Sequence, residues 1–307
     1  MAITRMGTGT TNLGPNLLTT YLNRRFVSVL RASLVAAALG MPSDMGANDG
    51  TTVRWQFFSQ PAAVTTTLTE GSDPTNSADF TTTTVTGTLG EYGSYTDVSK
   101  FLLRTGLTGT KQEMVDGLAY MAAISIDTLS IGEIDGSTTS VDSGTALTAE
   151  SVRQAVAALL DNNCKPHRKT PGLFPLLVTT DAAYDMMGEG APTWFQAKSD
   201  LYQQSLQQPF QNTPASATLY GATVRTTNNV QVDTAPTPDD ELGVLVADDS
   251  FGIASLDTDV MQPEIIITNP EENVGAPLRN RGTMGWWVLF VAKLFANARV
   301  VVVKADI

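Results

Sequence analysis

Cys164 and His167 stand three residues apart in the stretch "CKPH", and a thiol beside an imidazole is the sharpest chemical idea in this chain. An imidazole that takes the thiol proton makes a nucleophile able to attack a carbonyl. Such pairs normally meet in space from distant parts of a sequence. The reading favoured here makes Cys164 a small apolar residue closing a helix and places His167 with Lys165, Arg168 and Lys169 in an exposed basic loop. A cysteine-dependent enzyme therefore stays a remote alternative.

Metal chemistry has even less to work with. His167 is the only histidine and Cys164 the only cysteine among 307 residues, which removes multi-histidine and cysteine-rich zinc sites. Asp239 with Asp240, and Asp248 with Asp249, lack the spacing of a calcium-binding loop and read as solvated charge. No Gly-rich phosphate loop is present, and the glycines of "TGTTNLG" follow no predicted strand. Trp286 and Trp287 have the surface to stack a ligand, but adjacent aromatics in a β-run are expected to fill core on both faces. No cofactor is expected. Arg24, Arg25 and Arg31 form the clearest basic cluster; they either solvate a helix or touch nucleic acid or an acidic neighbour.

Charge narrows the partners. Nineteen Lys and Arg against 31 Asp and Glu give a net charge of -12, which argues against a dedicated nucleic-acid binder. A single cysteine excludes an intramolecular disulfide, and cytoplasmic synthesis fits best. "FVSVLRASLVAAALG" imitates a secretion signal but lies deep in the chain and is interrupted by Arg31. At a 3.6-residue period Leu18, Leu22, Phe26, Val29, Leu30 and Leu34 share one side, so an amphipathic helix is expected. The longest wholly apolar run, "WWVLFVA", falls far short of the ~20 residues a bilayer requires, and no membrane partner is expected.

The elements around these residues read as an α+β chain. Residues 1–15 form a polar arm, and "MPSDMGANDG" is a turn cluster ending the first helix. In "TVRWQFF", Val53, Trp55 and Phe57 alternate with Arg54 and Gln56, while Val85 and Leu89 alternate with threonines in a returning strand. "LTEGSDPTNSADF" between them becomes a hairpin tip without any catalytic residue. Thr110 and Glu113 form a capping box ahead of Val115, Leu118, Ala122, Ile126 and Leu129, a helix of roughly 30 Å. A second helix carries Val152, Val156, Leu159 and Leu160 on one face. "LFPLLVTT" is a buried strand, followed by a short helix capped by Asp181. "ATVRTTNNV", "LGVLVAD" and "PEIIIT" are strands, and the chain finishes with two β-prone runs joined by "FANA".

This order of features resembles the major capsid proteins of tailed bacteriophages with the Hong Kong 97-like fold. "LTEG" at 68–71, "YGSYTDVS" at 92–99, "YGATVRTTNNV" at 220–230 and "APLRNRGTMGWWVLFVAKL" at 276–294 are similar to motifs of one subgroup. The resemblance implies an N-terminal arm with its amphipathic helix over 1–49 and an extension-loop β-hairpin over 50–98. A peripheral lobe with a spine helix would follow over 99–147, an axial α/β lobe over 148–255, and a return to the peripheral lobe, ending in a long β-hairpin, over 256–307. It further implies a structural, non-enzymatic subunit that self-assembles into hexamers and pentamers of an icosahedral virion shell. That shell would enclose double-stranded DNA, held by weak non-specific contacts.

A hairpin tip with little to bury in its own chain can be stabilised on a neighbour. Leu68, Thr69, Glu70, Gly71, Asp73, Trp55 and Phe57 are the subunit-contact candidates, with Glu70 and Asp73 suited to a basic partner. Arg24, Arg25 and Arg31 are inner-face or neighbour-contact candidates. A portal protein, possible decoration proteins and a separate scaffolding protein are the expected partners, the last because the first helix begins within about 20 residues of Met1 and leaves no room for an internal scaffold. A secreted β-rich adhesin or pilus-type subunit is the competing class, for which the sequence offers no signal at its start. Certain members of this fold join a lysine on the extension loop to an asparagine on a neighbour; here no lysine lies between Asn48 and Ser99, so an uncrosslinked shell is expected.

Overall fold

A computed structural model describes residues 21–22, 24–30, 34–45, 50–59, 63, 65, 67, 69–71, 80–105, 110–144, 147–188, 218–227, 240–256, 263–270, 278 and 280–306. Its helices are α1 (residues 24–30, with 21–22 also helical), α2 (Lys100–Thr105), α3 (Thr110–Asp135), α4 (Ala149–Asp161) and α5 (Thr180–Gly188). The strands are β1 (Met41–Met45), β2 (Thr52–Phe58), β3 (Thr82–Thr88), β4 (Gly90–Ser99), β5 (Ser140–Asp142), β6 (Phe174–Val178) and β7 (Thr218–Leu219). After them come β8 (Ala222–Thr226), β9 (Asp240–Val246), β10 (Phe251–Leu256), β11 (Glu264–Thr268), β12 (Arg281–Leu294) and β13 (Val300–Asp306).

β12 organises the first sheet, of five strands. It pairs antiparallel with β4 from Arg281↔Ser99 to Phe290↔Gly90, with β11 over 283–287 and with β10 over 290–294. β1 then adds parallel to β10. Along β12 the period of two puts Met284, Trp286, Val288, Phe290 and Ala292 in the core. Against them pack Val115, Leu118, Ala122, Ile126, Ile131 and Ile134 of α3, together with Leu22, Phe26, Leu30 and Leu34 from the α1 region. Lys293 fastens the end of α3 to the sheet through Glu133, at 3.0 Å. α3 is long and apolar enough to cross a membrane by length and composition, yet its most apolar stretch is half-buried inside this protein. An apolar core helix passes the same test.

The second sheet has six strands in the order β5-β13-β9-β6-β8-β7. Both of its faces are covered. Val300 and Val302 of β13 join the first core, whereas Val301, Val303 and Ala305 join a second core with α4, α5 and β6. That double burial explains the unbroken run "VVVV", where a one-sided strand would alternate.

Several sequence expectations change. The turn cluster after the first helix contains β1, because pairing with β10 satisfies a backbone that its Pro and Met side chains do not mark as strand. β12 and β13 are not a hairpin: the short 3-10 turn Asn297–Arg299 carries the chain from one sheet into the other. Leu160 is 54% exposed while Val152, Val156 and Leu159 are buried. The cap before α5 is Thr179, whose hydroxyl accepts from Ala182 N–H at 3.1 Å, so Asp181 lies within the first turn. α4 has a capping box that the sequence reading missed, between Thr148 and Ser151.

Candidate subunit-contact ribbon

β2 and β3 pair with each other over seven registered positions, Thr52↔Thr88 to Phe58↔Thr82, and form a sheet of their own. One further bond, Ser59 N–H to the Thr81 carbonyl at 2.8 Å, extends the ladder, and the Ser59 and Thr81 hydroxyls meet at 2.7 Å. A two-stranded ribbon is at best marginal in water unless something covers one face. Here one face of the ladder is covered along its described length and the other is not. Val53 and Trp55 cluster with Met45 and Ala254, and Phe57, Leu89, Val291 and Phe295 pack around them. Phe295 lies 5.3 Å from Trp55 and 4.7 Å from Phe57 between ring centroids, both tilted, and the Arg299 guanidinium sits 5.9 Å from the Phe57 centroid. Glycines make this seat possible: a Cβ on Gly252 would fall 2.4 Å from the Phe295 ring and 2.7 Å from the Trp55 ring.

The opposite face is bare. Thr52, Arg54, Gln56 and Phe58 stand beside Thr88, Thr86, Thr84 and Thr82, and all eight are exposed. Phe58 is 69% exposed and Phe80 65%. Past the ladder, every described residue up to Phe80 is exposed, including Thr69, Glu70 and Gly71. Gly71 has φ of +78°, a left-handed conformation that favours glycine at this turn. Leu68 and Asp73 lie outside the described residues. Trp55, by contrast, is 6% exposed, so its surface is already buried on its own chain, and Phe57 is half-buried there.

No protein-family model matches the sequence, and no curated protein matches it either. Solved structures do. The capsid of Ralstonia phage GP4 superposes with a TM-score of 0.69 over 90% of this chain and 90% of that one, at 10% identity. The acid-stable capsid of Helicobacter pylori bacteriophage KHP30 gives 0.63, covering 87% of this chain and 88% of that one, at 10% identity. A virus-like particle from Pyrococcus furiosus gives 0.55 over 93% and 99%, at 8% identity. The chain has the Hong Kong 97-like capsid fold.

Within this capsid fold the other candidates find local partners. Arg25 on α1 makes a bidentate pair with Asp116 on α3, at 2.7 and 2.6 Å, and holds that carboxyl below the usual range. Arg24 is exposed, and Arg31 lies outside the described residues. The expected basic cluster is thus divided, with Arg25 turned to its own chain. His167 corrects the sequence reading: it is 2% exposed rather than part of an open loop. Its Nε2 bonds the Leu39 carbonyl at 2.8 Å, whereas the Cys164 thiol faces the Ala298 carbonyl at 3.3 Å. Burial pushes the thiol pKa up and the imidazole pKa down. Neither change prepares a nucleophile, and the two side chains bond to different segments.

Asp248 and Asp249 are likewise not free charge, for both pair with Arg168, at 2.9 Å for Asp248. Asp239 lies outside the described residues, as does the side chain of Asp240. Among the described residues no group of three or more His, Cys, Asp or Glu is arranged to hold a metal. Trp286 is core, but Trp287 is half-buried on the other face and donates to Glu91 at 2.6 Å, so the pair does not fill core on both sides. Gly87, Gly252, Phe295 and Arg299, which seat the ribbon, were not singled out in the sequence. "FANA" reads as a connector, and only the fold brings it under β2.

Proposed function

We propose that this protein is the major capsid protein of a tailed bacteriophage, a structural subunit whose copies form the hexamers and pentamers of an icosahedral shell around packaged double-stranded DNA. The observation that carries this reading is the superposition on a phage capsid over 90% of both chains. The ribbon supports it. A ladder covered on one face, with eight exposed side chains on its bare face, gains burial if it lies on a second copy. In this reading residues 50–98 contribute the extension loop, with Thr69, Glu70 and Gly71, and with Leu68 and Asp73, meeting the neighbour. Residues 99–147 and 256–307 make the peripheral lobe and 148–255 the axial lobe, with β13 lying between the two cores that these regions build.

A separate scaffolding protein, a portal protein and decoration proteins are the proposed partners. A net charge of -12 suits a wall that must not grip DNA tightly during packing and release. The role is non-enzymatic, and its place is the virion. Co-expression with the scaffolding protein of the same phage, followed by negative-stain microscopy of the lysate, tests the reading. Closed shells of uniform size are expected. Monomers alone, or open fibres, in repeated preparations would overturn it.

A further inference from the structure

The segment between α1 and β1 is short, yet its main-chain polar groups are held from both ends. At the first end the carboxylate of Asp127, on α3 and fully buried, accepts the N–H of Val35 at 2.8 Å and of Ala37 at 2.9 Å. At the other end the Leu39 carbonyl accepts from His167 Nε2 at 2.8 Å, and the Ala38 carbonyl accepts from Lys169 Nζ. Ala37–Leu39 is a single 3-10 turn, with the anion at its N–H groups and the donors at its carbonyls. The two grips come from different parts of the molecule. Leu39 packs in the first core, while the loop carrying His167 leads into β6, most of whose side chains fill the second.

The neutral ring of His167 is fixed in one tautomer by this arrangement. The backbone N–H of Lys169 points at Nδ1 from 3.1 Å, so Nδ1 accepts and the ring hydrogen sits on Nε2, where Leu39 needs it. A proton arriving on Nδ1 would meet that N–H head on. The ring would have to turn or the loop to move, and either breaks the grip on Leu39. We propose that His167 is an acid-triggered latch, whose protonation lifts the 165–170 loop from residues 38–39 and opens the seam between the N-terminal segment and the body.

The charges around the latch set its sign. Burial opposes the imidazolium most strongly; the Arg168 and Lys169 charges oppose it too, while Asp248 and the Leu39 carbonyl favour it. Lys169 itself is disfavoured as a cation by burial and by Arg168 and Arg225. A histidine whose folded pKa lies below its unfolded value of about 6.5 stabilises the fold above that pH and stops doing so as pH falls through it. Asp127 acts in the opposite sense. Burial pushes its carboxyl up against the N–H groups of Val35, Ala36 and Ala37, so its protonation relieves a cost. The two titrations partly cancel in global stability, and the latch has to be read locally.

Hydrogen exchange of the full-length chain at about pH 7.5 and about pH 5.5, corrected for intrinsic rates, reads it. Peptides covering 37–41 and 167–173 are expected to lose about tenfold in protection at the lower pH while β13 peptides hold theirs. His167→Gln removes the titrating imidazole and should abolish that tenfold loss, leaving only the opposite effect of Asp127. Acid-insensitive wild-type peptides would overturn the latch, as would an unchanged acid response in the variant. If His167→Gln does not fold, the lone imidazole is followed by NMR in the wild type. A midpoint below about 6.5 that accompanies the loss of protection supports the proposal; one at or above it, or one separate from that loss, sinks it. The test concerns the chain itself, so its failure would leave the capsid reading untouched.

Discussion

Trp55→Ala should release the ribbon without unfolding the body. Trp55 is 6% exposed and packs over Phe295, with Gly87 and Gly252 close beneath its ring. Truncating a buried tryptophan costs about 3–5 kcal/mol, and the loss of one tilted aromatic contact adds about 1 kcal/mol. The indole Nε1–H is buried with no hydrogen-bond partner among the described residues, so removing it returns roughly 1–3 kcal/mol. The net is about 3 kcal/mol, which makes opening of the ribbon roughly a hundredfold easier. The effect stays local because, among the described residues, β2 and β3 pair only with each other and Trp55 belongs to the small third cluster rather than to either main core. Hydrogen exchange of the unassembled chain is the assay. Amides of 53–58 and 82–88 should lose roughly two decades of protection while α3 and β13 keep theirs. Unchanged exchange in the ribbon, or simultaneous loss across the whole chain, would refute the idea that one aromatic seat holds it.

Asp116→Asn removes the partner of Arg25 and should cost less stability than Trp55→Ala, because the pair is partly exposed and screened by salt. Since Arg25 lowers the Asp116 pKa, this contribution is present above the ordinary carboxylate value of about 3.9 and fades as pH falls below it; melting curves of wild type and variant should converge in acid and at high salt. Alkylation of Cys164 at about pH 8 should be slow beside a small free thiol of pKa about 8.5, because burial pushes this thiol up; fast alkylation at neutral pH would revive the cysteine-enzyme reading. Mature particles dissolved in hot detergent should run as one monomer band, since the stretch from Asn48 to Ser99 holds no lysine to attack a neighbour's carboxamide, and a covalent ladder would contradict that. Gly252→Ala places a methyl within 3 Å of both Phe295 and Trp55 and should loosen the ribbon as Trp55→Ala does, measured by the same exchange.

Local periodicity carried much of the fold. The alternation of Val53, Trp55 and Phe57 marked β2, the 3.6-residue spacing of Val115, Leu118, Ala122 and Ile126 marked α3, and the apolar "FPLLV" marked β6, because each pattern records which side of an element leaves water. The capsid fold itself was suggested by the resemblance of several motifs to a known family, not by periodicity. What the sequence left out was which element covers which. β1 has no strand-like pattern because β10 defines it by hydrogen bonding. β13 looked like the second arm of a hairpin with β12, but burial on both faces draws it into the other sheet. His167 and Arg25 looked like surface charge until Leu39 and Asp116 arrived from 128 and 91 residues away. Periodicity reports that a side chain is buried or exposed along its own element; its partner's identity is a property of chain closure, and only the tertiary structure supplies it.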